Sequence, residues 1–486
     1  MKSSTQPASS PQSRAASSSR HTSSSVRASR ATVETPTRSR RGVEEFDSSS
    51  LRQTRLRDEM ERTSHLRLVP ADIEITDETG DLSARDNEQF ERLVKGKPAK
   101  NVKTRAAKLP CAPCHYGLLF AAILLTALSV PLVYSASTAI ALDQHGGNPD
   151  FFLTRQIGFA VIGLMLMVSA SRLSSSKVRN LSWILYGVAV GGLVLTKFSP
   201  LGFSMGNTER WVKLGPITLQ FSELAKIALI GVMADFWSRA ARDSQKSMLP
   251  WIVAGVIAGI PLVLTFMQPH LSATLVLFAL PIAIAFYAGA PRKHFTTIVA
   301  SLAVGGVVAV GLCSNGSMPL MKEYQQKRIV AFVSGNSQHD ARTSDYQQLQ
   351  GERAIMRGGV AGVGLGASIY KHGNLPAPHT DFIYAVIGEE WGILGTLGVI
   401  GLYGAIVFFC FQTGHAANNS FDALVCAGVG TLLGVQAAGN IGVVSGLLPV
   451  TGMPLPILTY GGSGLICALL GIGLVLAISR SSCDEA

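Results

Sequence analysis

The chain alternates between long apolar segments and shorter polar ones from residue 116 to its C-terminal end. An apolar helix of about 20 residues crosses the ~30 Å hydrocarbon core of a bilayer, and most of these segments reach that length. The pattern therefore predicts an all-α polytopic membrane protein with about ten transmembrane helices. The predicted spans are 116–142, 152–170, 180–197, 222–238, 249–267, 271–290, 294–313, 382–411, 421–447 and 464–480.

A long polar segment, residues 314–381, separates the seventh predicted span from the eighth. We expect a large loop here, because no clear helix or strand pattern runs through it. Its bases could be solvated surface or could bind an anionic ligand, and their position next to Asp381 favours the ligand. These bases are Lys322, Lys327, Arg328, Arg342, Arg353, Arg357 and Lys371.

The N-terminal part of the chain has a different composition. Residues 1–94 are expected to form a disordered cytoplasmic tail, because the Ser/Thr/Arg-rich first 50 residues have almost no large apolar side chains. A basic juxtamembrane segment, 95–115, follows, with six bases and no acid between Lys95 and Lys108. Such a segment faces the cytoplasm and suits anionic membrane lipids. No aromatic or helical pattern in it supports nucleic-acid binding.

The distribution of loop charges predicts the orientation. The loop after the first span, 143–150, has no Lys or Arg, whereas the loops after the second, fourth and sixth spans are basic. By the positive-inside rule, both termini are cytoplasmic, including the short C-terminal tail 481–486, and the large loop 314–381 is outside. The inner bases include Arg172, Lys177, Arg179, Arg239, Arg242, Lys246, Arg292, Lys293 and Arg480.

Overall composition agrees with a membrane protein. Of the 486 residues, 47% are hydrophobic and 15% are charged, and the mean hydropathy is +0.30. Most of the seven cysteines lie in apolar runs, where small buried thiols are ordinary packing residues. Cys111 and Cys114 have the spacing of a redox or zinc pair, but no second pair accompanies them. Packing is therefore the favoured interpretation of the cysteines.

Asp381 is the first candidate for chemistry. It enters an apolar segment directly after Pro376-Ala377-Pro378-His379-Thr380. A charged side chain at membrane depth is costly and tends to be kept for function. Asp is also a common N-cap residue at the start of a helix. On these residues alone, both interpretations stand.

A second polar region opens the fourth span. Arg210 and Trp211 lie in the preceding outer loop, and Ser222 is predicted to be the N-cap of the helix. Glu223 and Lys226 are three residues apart on one helical face, so they could pair with each other. A lysine one turn into the membrane also favours a polar cavity.

Two further segments interrupt the apolar pattern. His270 lies in the turn Gln268-Pro269-His270, where a lone His is more often a hydrogen-bonded side chain than a ligand or base. The segment 446–463 is dense in Pro and Gly. Broken backbone at membrane depth survives where it lines a cavity or is buried in protein. The chain contains no Walker or dinucleotide fingerprint, so we expect no nucleotide cofactor.

Taken together, these segments resemble the SEDS family (FtsW, RodA and SpoVE) over about residues 115–480. The resemblance implies a peptidoglycan glycosyltransferase of the bacterial cytoplasmic membrane that polymerises lipid II outside the membrane, in division, elongation or sporulation. The implied partner is a class B penicillin-binding transpeptidase. The matching motifs are Tyr134-Ser135-Ala136-Ser137, Arg210-Trp211, Ser222-Glu223-Leu224-Ala225-Lys226, Gln268-Pro269, Arg328-Ile329-Val330-Ala331-Phe332, Tyr346-Gln347, His379-Thr380-Asp381-Phe382, Gly388-Glu389-Glu390 and the run Leu448–Ser463.

The resemblance also implies roles for individual residues. The catalytic Asp of the family falls on Asp381, which would act as general base for a sugar hydroxyl. Cationic side chains, or a divalent metal such as Mg²⁺ or Mn²⁺, would stabilise the departing pyrophosphate. The implied substrate-binding residues are Arg210, Trp211, Glu223, Lys226, Arg328, Arg353, His379 and Thr380.

The chain departs from the family pattern at two acidic positions. The family motif P-E-A-H is here Pro376-Ala377-Pro378-His379, and Q-P-D-L-G is here Gln268-Pro269-His270-Leu271-Ser272. Two other functions fit the same residues. One is a flippase for lipid-linked precursors, since broken helices and buried charges also mark transporters. The other is a low-activity scaffold for the transpeptidase.

Overall fold

The structure, a computed structural model, describes residues 112 to 484 with several gaps. Outside it lie 1–111, 145, 200–201, 206–207, 215–216, 242–243, 245–246, 269, 292, 298–343, 373–374, 376 and 485–486. The predicted tail, the six bases of the juxtamembrane segment, most of the predicted seventh span and Arg328 therefore fall outside the described residues.

Ten helices of 15 residues or more and three short strands make up the described part of the chain. Seven of these helices are long and apolar enough to cross a membrane. The helices are α1 (Ala112–Gln144), α2 (Phe151–Ala170), α3 (Ser175–Phe198), α4 (Phe221–Ala240), α5 (Leu249–Met267), α6 (Leu271–Tyr287), α7 (Ser344–Gly358), α8 (Ile383–Ala416), α9 (Ser420–Val444) and α10 (Gly462–Asp484).

Nine of the ten predicted spans coincide with a helix to within five residues at each end. Two of the nine are not among the seven spans that length and composition define. Helix α6 has only 17 residues, and α4 is less apolar because it carries Glu223, Lys226, Asp235 and Arg239. Most of α4 is buried among the other helices, which shields Glu223, Lys226 and Asp235 from lipid, whereas Arg239 is exposed at the end of the helix. The predicted all-α membrane fold is confirmed.

Two elements in the predicted loops were not expected. A three-stranded antiparallel sheet fills the loop before α4, in the order β1 (Gly202–Met205), β2 (Thr208–Leu214), β3 (Ile217–Leu219). Strands this short give little alternation to detect. Helix α7 lies inside the segment expected to be an irregular loop. Its buried residues are Gln350 and the small residues Gly351, Ala354 and Gly358, so it lacks the large apolar stripe that predicts a helix.

Helix α8 is broken near its start. Gly392 has φ 66° and ψ −159°, and a Cβ there would lie 2.5 Å from the backbone of the loop that follows α7. This loop, 359–364, inserts at the break and satisfies the freed backbone groups. Ile393 N donates to Gly359 O at 2.9 Å, and Val363 N donates to Glu389 O at 3.0 Å. The break is therefore covered by protein, as backbone at membrane depth requires.

The loops at one end of the bundle meet each other, and they carry the polar residues singled out above. Tyr460 N donates to His379 O at 2.9 Å, which joins the segment before α10 to the turn before α8. Gln220 N donates to Ser463 Oγ at 3.1 Å, which joins the end of the sheet region to α10. These contacts assemble segments distant in sequence into one site.

Candidate functional site

Asp381 lies in the turn 377–382, immediately before the broken helix α8, and is half-buried. The helix begins at Ile383, with Phe382 at the N-cap position and no side-chain cap, so the N-cap interpretation of Asp381 is wrong. The backbone of Asp381 is fixed by Asn440 on α9, whose Nδ2 donates to Asp381 O at 2.7 Å. The same amide donates to Met453 O at 2.7 Å. Asn440 thus ties the turn to the Pro- and Gly-dense segment.

The carboxylate of Asp381 rests against Gly452. An ideal Cβ on Gly452 would lie 3.2 Å from Asp381 Oδ2, and Gly452 has φ +68°. Only glycine adopts this φ without strain, and only glycine leaves this space to the carboxylate. The break in the chain before α10 therefore shapes the pocket around the acid.

His379 packs in an aromatic cluster beside Asp381. Its ring centroid lies 4.8 Å from that of Phe152 and 5.8 Å from that of Tyr460. Burial lowers the pKa of His379 to about 4, so the ring is neutral at neutral pH. Its Nδ1 is buried with no hydrogen-bond partner. Thr380 Oγ1 donates to Ala377 O at 3.3 Å within the same turn.

Glu223 and Lys226 form the predicted ion pair at the start of α4, with Lys226 Nζ 2.6 Å from Glu223 Oε1. The lysine side chain is 2% exposed and the glutamate 9%. Ser222 is not the predicted N-cap, because α4 begins one residue earlier, at Phe221. The pair also lines a small cavity, as expected for a lysine inside the membrane. The cavity is lined by Glu223, Lys226, His270, Ser272, Ala273, Gln436, Met453 and Pro454.

The Asp381 turn and the cavity are connected through the segment Gly452-Met453-Pro454. Ser272, a cavity residue, donates from Oγ to Gly452 O at 3.2 Å. Met453 and Pro454 line the cavity, whereas Gly452 contacts the Asp381 carboxylate. The acid and the buried cation thus lie on either side of one short segment.

The remaining predicted substrate-binding residues fall in different places. Arg210 and Trp211 are half-buried on β2, and the charge of Arg210 acts on the His270 ring at the cavity. Arg353 is exposed on α7 and makes no ion pair within the described part of the chain. Arg328 lies outside the described residues. The charge of Arg210 therefore acts on a cavity residue, although Arg210 is not among the residues that line the cavity, and Arg353 lies on the surface.

Two loop bases do not face a ligand as expected. Arg357 pairs with the buried carboxylate of Glu389, which also accepts hydrogen bonds from Ser368 Oγ and from Ile369 N at 3.0 Å. Lys371 Nζ lies 2.9 Å from Glu390 Oε1, and both side chains are buried. The expectation of ligand binding is wrong for Arg357 and Lys371, because buried acids need partners of their own.

Asn440, Gly452 and Phe152 are site residues that we did not predict from the sequence. A signal existed for Asn440, since it is an amide inside the apolar segment 421–447. Gly452 was one glycine among several, and nothing local marks it as a neighbour of Asp381. No group of three or more His, Cys, Asp and Glu side chains among the described residues could hold a metal ion.

An apolar helical bundle with an acid, a buried ion pair and a cavity at one end defines a polytopic membrane protein with a polar site near one membrane face. The sequence profile of the FtsW/RodA/SpoVE family, described as "Cell cycle protein", matches residues 116–483. This chain belongs to that family.

Individual relatives agree with this assignment. The probable peptidoglycan glycosyltransferase FtsW of Halothiobacillus neapolitanus is 35% identical over 371 residues, covering 75% of this chain and 86% of that protein. The probable peptidoglycan glycosyltransferase FtsW of Coxiella burnetii is 32% identical, covering 73% and 93%. These names confirm the predicted enzyme class, peptidoglycan glycosyltransferase.

Solved structures show the same fold. A chain from a study of "structural coordination of polymerization and crosslinking by a peptidoglycan synthase complex" superposes with a TM-score of 0.61 at 28% identity, covering 76% of this chain and 98% of its own. The Thermus thermophilus rod shape determining protein RodA superposes with a TM-score of 0.54 at 26% identity, covering 75% and 96%.

Proposed function

We propose that this chain polymerises lipid II into glycan strands at the outer face of the bacterial cytoplasmic membrane, with Asp381 as the general base. The observation that carries the proposal is the position of Asp381: a half-buried acid against Gly452, one short segment away from a cavity with a buried cation. The acid would face the attacking sugar hydroxyl, and the buried cation would face the departing pyrophosphate.

In the proposed reaction, the 4-hydroxyl of an acceptor sugar attacks the anomeric carbon of a lipid-linked donor. A carbon–oxygen bond forms, the bond to the pyrophosphate breaks, and the hydroxyl proton passes to the Asp381 carboxylate. The leaving group departs as polyprenyl pyrophosphate with an additional negative charge. Asp381 later loses its proton to solvent, which restores the base for the next addition.

The charge on the leaving group needs positive partners. Lys226 lines the cavity, and the charge of Arg210 acts on the cavity residue His270. Trp211, next to Arg210, is a candidate for sugar or lipid contact. A divalent cation, Mg²⁺ or Mn²⁺, fits only a site shared with the substrate, since the described residues offer no cluster of three metal ligands. Such a cation would be held by Asp381 and phosphate oxygens and would neutralise charge on the pyrophosphate.

The proposal includes a class B penicillin-binding transpeptidase as partner. It is supported by the structural likeness to a chain from a study of a peptidoglycan synthase complex that couples polymerization with crosslinking. A polymerase and a transpeptidase use successive products of one pathway, so their association would hand each new strand to crosslinking. Lipid II and membrane lipids are the other expected partners.

The proposed orientation has both termini in the cytoplasm and the Asp381 end outside. It rests on the basic loops at the opposite end, where Arg172, Lys177 and Arg239 are exposed. A phosphatase reporter that works only outside the membrane, fused after Ala486, is expected to be inactive. The same reporter inserted after Gly147 is expected to be active, and the reverse pattern would overturn the orientation.

A flippase and a transpeptidase scaffold are the competing functions. Purified chain in liposomes, with and without a class B transpeptidase, is given lipid II, and both glycan strands and transbilayer movement of lipid II are measured. Strand formation is the expected result. Transbilayer movement of lipid II without strands would replace the proposal by a flippase. If neither strands nor movement is found and the transpeptidase still binds, the scaffold function would replace it.

A further inference from the structure

The segment that begins at the end of α7 has an unusual surface for a loop outside the predicted spans. Residues 358–370, the apolar loop, lie between Arg357 and Lys371 and include no charged residue. Three large apolar side chains of this loop are more than half exposed: Val360, Leu365 and Ile369. An exposed apolar surface on a folded chain marks contact with a membrane or with another protein. The level of the loop relative to the bilayer bears on which of the two applies.

Helix α8 defines that level. The break at Gly392 is followed by a largely apolar run of 19 residues without charge, 393–411. At 1.5 Å per residue this run is about 28 Å long, which matches the ~30 Å hydrocarbon core of a bilayer. Gly392 therefore lies at the boundary between hydrocarbon and headgroups on the Asp381 side.

The apolar loop is attached to α8 at this boundary. Leu394 N donates to Val360 O at 3.3 Å, and Gly364 N donates to Glu390 O at 3.0 Å. The exposed side chains of α8 just beyond its break are Ile393, Leu394 and Leu397. They face lipid, because they belong to a helix that is long and apolar enough to span the membrane. Val360 therefore adjoins the lipid-facing surface of α8.

The backbone of the apolar loop makes hydrogen bonds within the protein, as a chain segment beside lipid requires. Gly362 N donates to Gly358 O at 2.8 Å, and Ala367 N donates to Gly364 O at 3.1 Å. Gly366 O accepts from Lys371 Nζ at 2.7 Å. Irregular backbone does not face the hydrocarbon core itself, so the loop belongs in the interface, from which its side chains reach inward.

Helix α7 places a base beside this surface. Arg353 and Met356 are three residues apart on one face of α7, and both are exposed. Bases combined with large apolar side chains are typical of segments that lie in the membrane interface. The guanidinium group suits headgroup phosphates, while the apolar side chains suit acyl chains. The surface therefore favours phospholipid over a protein.

We propose that the apolar loop lies in the interface of the leaflet on the Asp381 side, with Val360, Leu365 and Ile369 among the phospholipid acyl chains. The proposal does not depend on the polymerase function. Leu375 N donates to Tyr370 O at 2.9 Å, so the segment that leads to Asp381 begins at this loop. Lipid contact thereby ties the Asp381 turn to the level of the headgroups.

Photocrosslinking tests the proposal on the unsubstituted protein. Trypsin cuts after Arg357 and Lys371, so it releases the loop as peptide 358–371. The protein is placed in nanodiscs, one copy in each, with phospholipid that carries a photoreactive diazirine on an acyl chain, and labelled peptides are identified by mass spectrometry. We expect label on 358–371 and on peptide 180–197 of the spanning helix α3, but not on peptide 343–353 of α7. Label on 180–197 without label on 358–371 would overturn the proposal.

Tryptophan substitutions locate the side chains that touch lipid. Val360→Trp, Leu365→Trp and Ile369→Trp each add fluorescence to that of the five native tryptophans, which is subtracted with the unsubstituted protein. We expect phospholipid with brominated acyl chains to quench the added fluorescence as it does for Leu397→Trp on α8, and aqueous iodide to leave it unchanged. Asp143→Trp, at an exposed acid near the end of α1, is expected to show the reverse. Thermal unfolding checks that each variant is folded, and crosslinking of the unsubstituted protein does not depend on them.

A class B transpeptidase is the competing occupant of the surface. We expect quenching by brominated chains to be present without the transpeptidase and to persist when it is added. Quenching of the three loop variants by iodide and not by brominated chains would place the loop in water and overturn the proposal. Loss of that iodide quenching on addition of the transpeptidase would assign the surface to a protein instead.

Discussion

Single residues decide how the Asp381 carboxylate is placed, and Gly452 is the clearest of them. A Cβ there would lie 3.2 Å from Asp381 Oδ2, a separation that forces the carboxylate to shift. The φ of +68° also makes any other residue strained, by roughly 1–2 kcal/mol. The pocket around Asp381, the proposed base, therefore requires a glycine at position 452.

Gly452→Ala is expected to slow glycan polymerisation by about tenfold to a hundredfold, because small displacements of a catalytic group have effects of that size. The rate is measured from lipid II with the purified protein. Gly461→Ala is the matched control in the same segment, since a Cβ there meets nothing within 4 Å. Equal rates for the two variants would show that Gly452 does not position Asp381.

His379 gives a prediction about pH. Its pKa falls to about 4 in the folded protein, below the ordinary value of 6.5, so folding favours the neutral ring. Its contribution to stability is therefore complete above pH 6.5 and is lost as the pH falls towards 4. His379→Gln should unfold with less dependence on pH across this window, as followed by thermal unfolding in detergent. The exposed His415→Gln is the control, and an unchanged pH slope in His379→Gln would contradict the assignment.

At the scale of elements, two buried acids just before the break in α8 hold neighbouring segments onto this helix. Glu389 accepts from Arg357 of α7 and from the loop residue Ser368. Glu390 accepts from Ser135 of α1 at 2.6 Å and pairs with Lys371. The two acids thus join α1, α7, α8 and the loop that leads to Asp381. The Gly-Glu-Glu motif of the resemblance has a structural explanation here.

Lys371→Met is expected to destabilise the protein by about 3–5 kcal/mol, because it leaves the Glu390 carboxylate buried without its cation. The double variant Lys371→Met/Glu390→Gln should recover a large part of this loss, since no buried charge remains. Denaturant unfolding of the four members of the cycle gives the coupling energy. Additive effects of the two substitutions would show that the pair does not hold the loop.

At the scale of the whole molecule, hydropathy predicts the spans because a bilayer requires long apolar helices wherever the backbone crosses it. The helical spacing of Glu223 and Lys226 also predicts their ion pair, since residues three apart share one helical face. The sheet before α4 and helix α7 lie outside the membrane pattern, and short strands and a face of small residues give no hydrophobic period. Prediction was therefore accurate for the helical bundle and poor for the sheet before α4 and for helix α7.

The candidate site likewise contains some residues that the sequence predicts and others that it does not. Asp381 and Lys226 stand out locally, because a charge in an apolar run is costly. Asn440 is 59 residues from Asp381 along the chain, and only the packing of α9 beside α8 brings them together. The ion-pair partners of Arg357 and Lys371 depend on which acids the fold buries. Such partners are set by tertiary packing, so no local pattern reveals them.

Asp381 is proposed to take the proton from the attacking hydroxyl. The most direct measurement is the rate of glycan polymerisation from lipid II by purified Asp381→Asn protein with its transpeptidase, compared with Asp150→Asn. Asp150 is an exposed acid at the start of α2 and serves as the matched control. We expect Asp381→Asn to bind lipid II and to unfold like the unsubstituted protein but to form no strands, whereas Asp150→Asn is expected to polymerise normally. Strand formation by Asp381→Asn at the unsubstituted rate would contradict it.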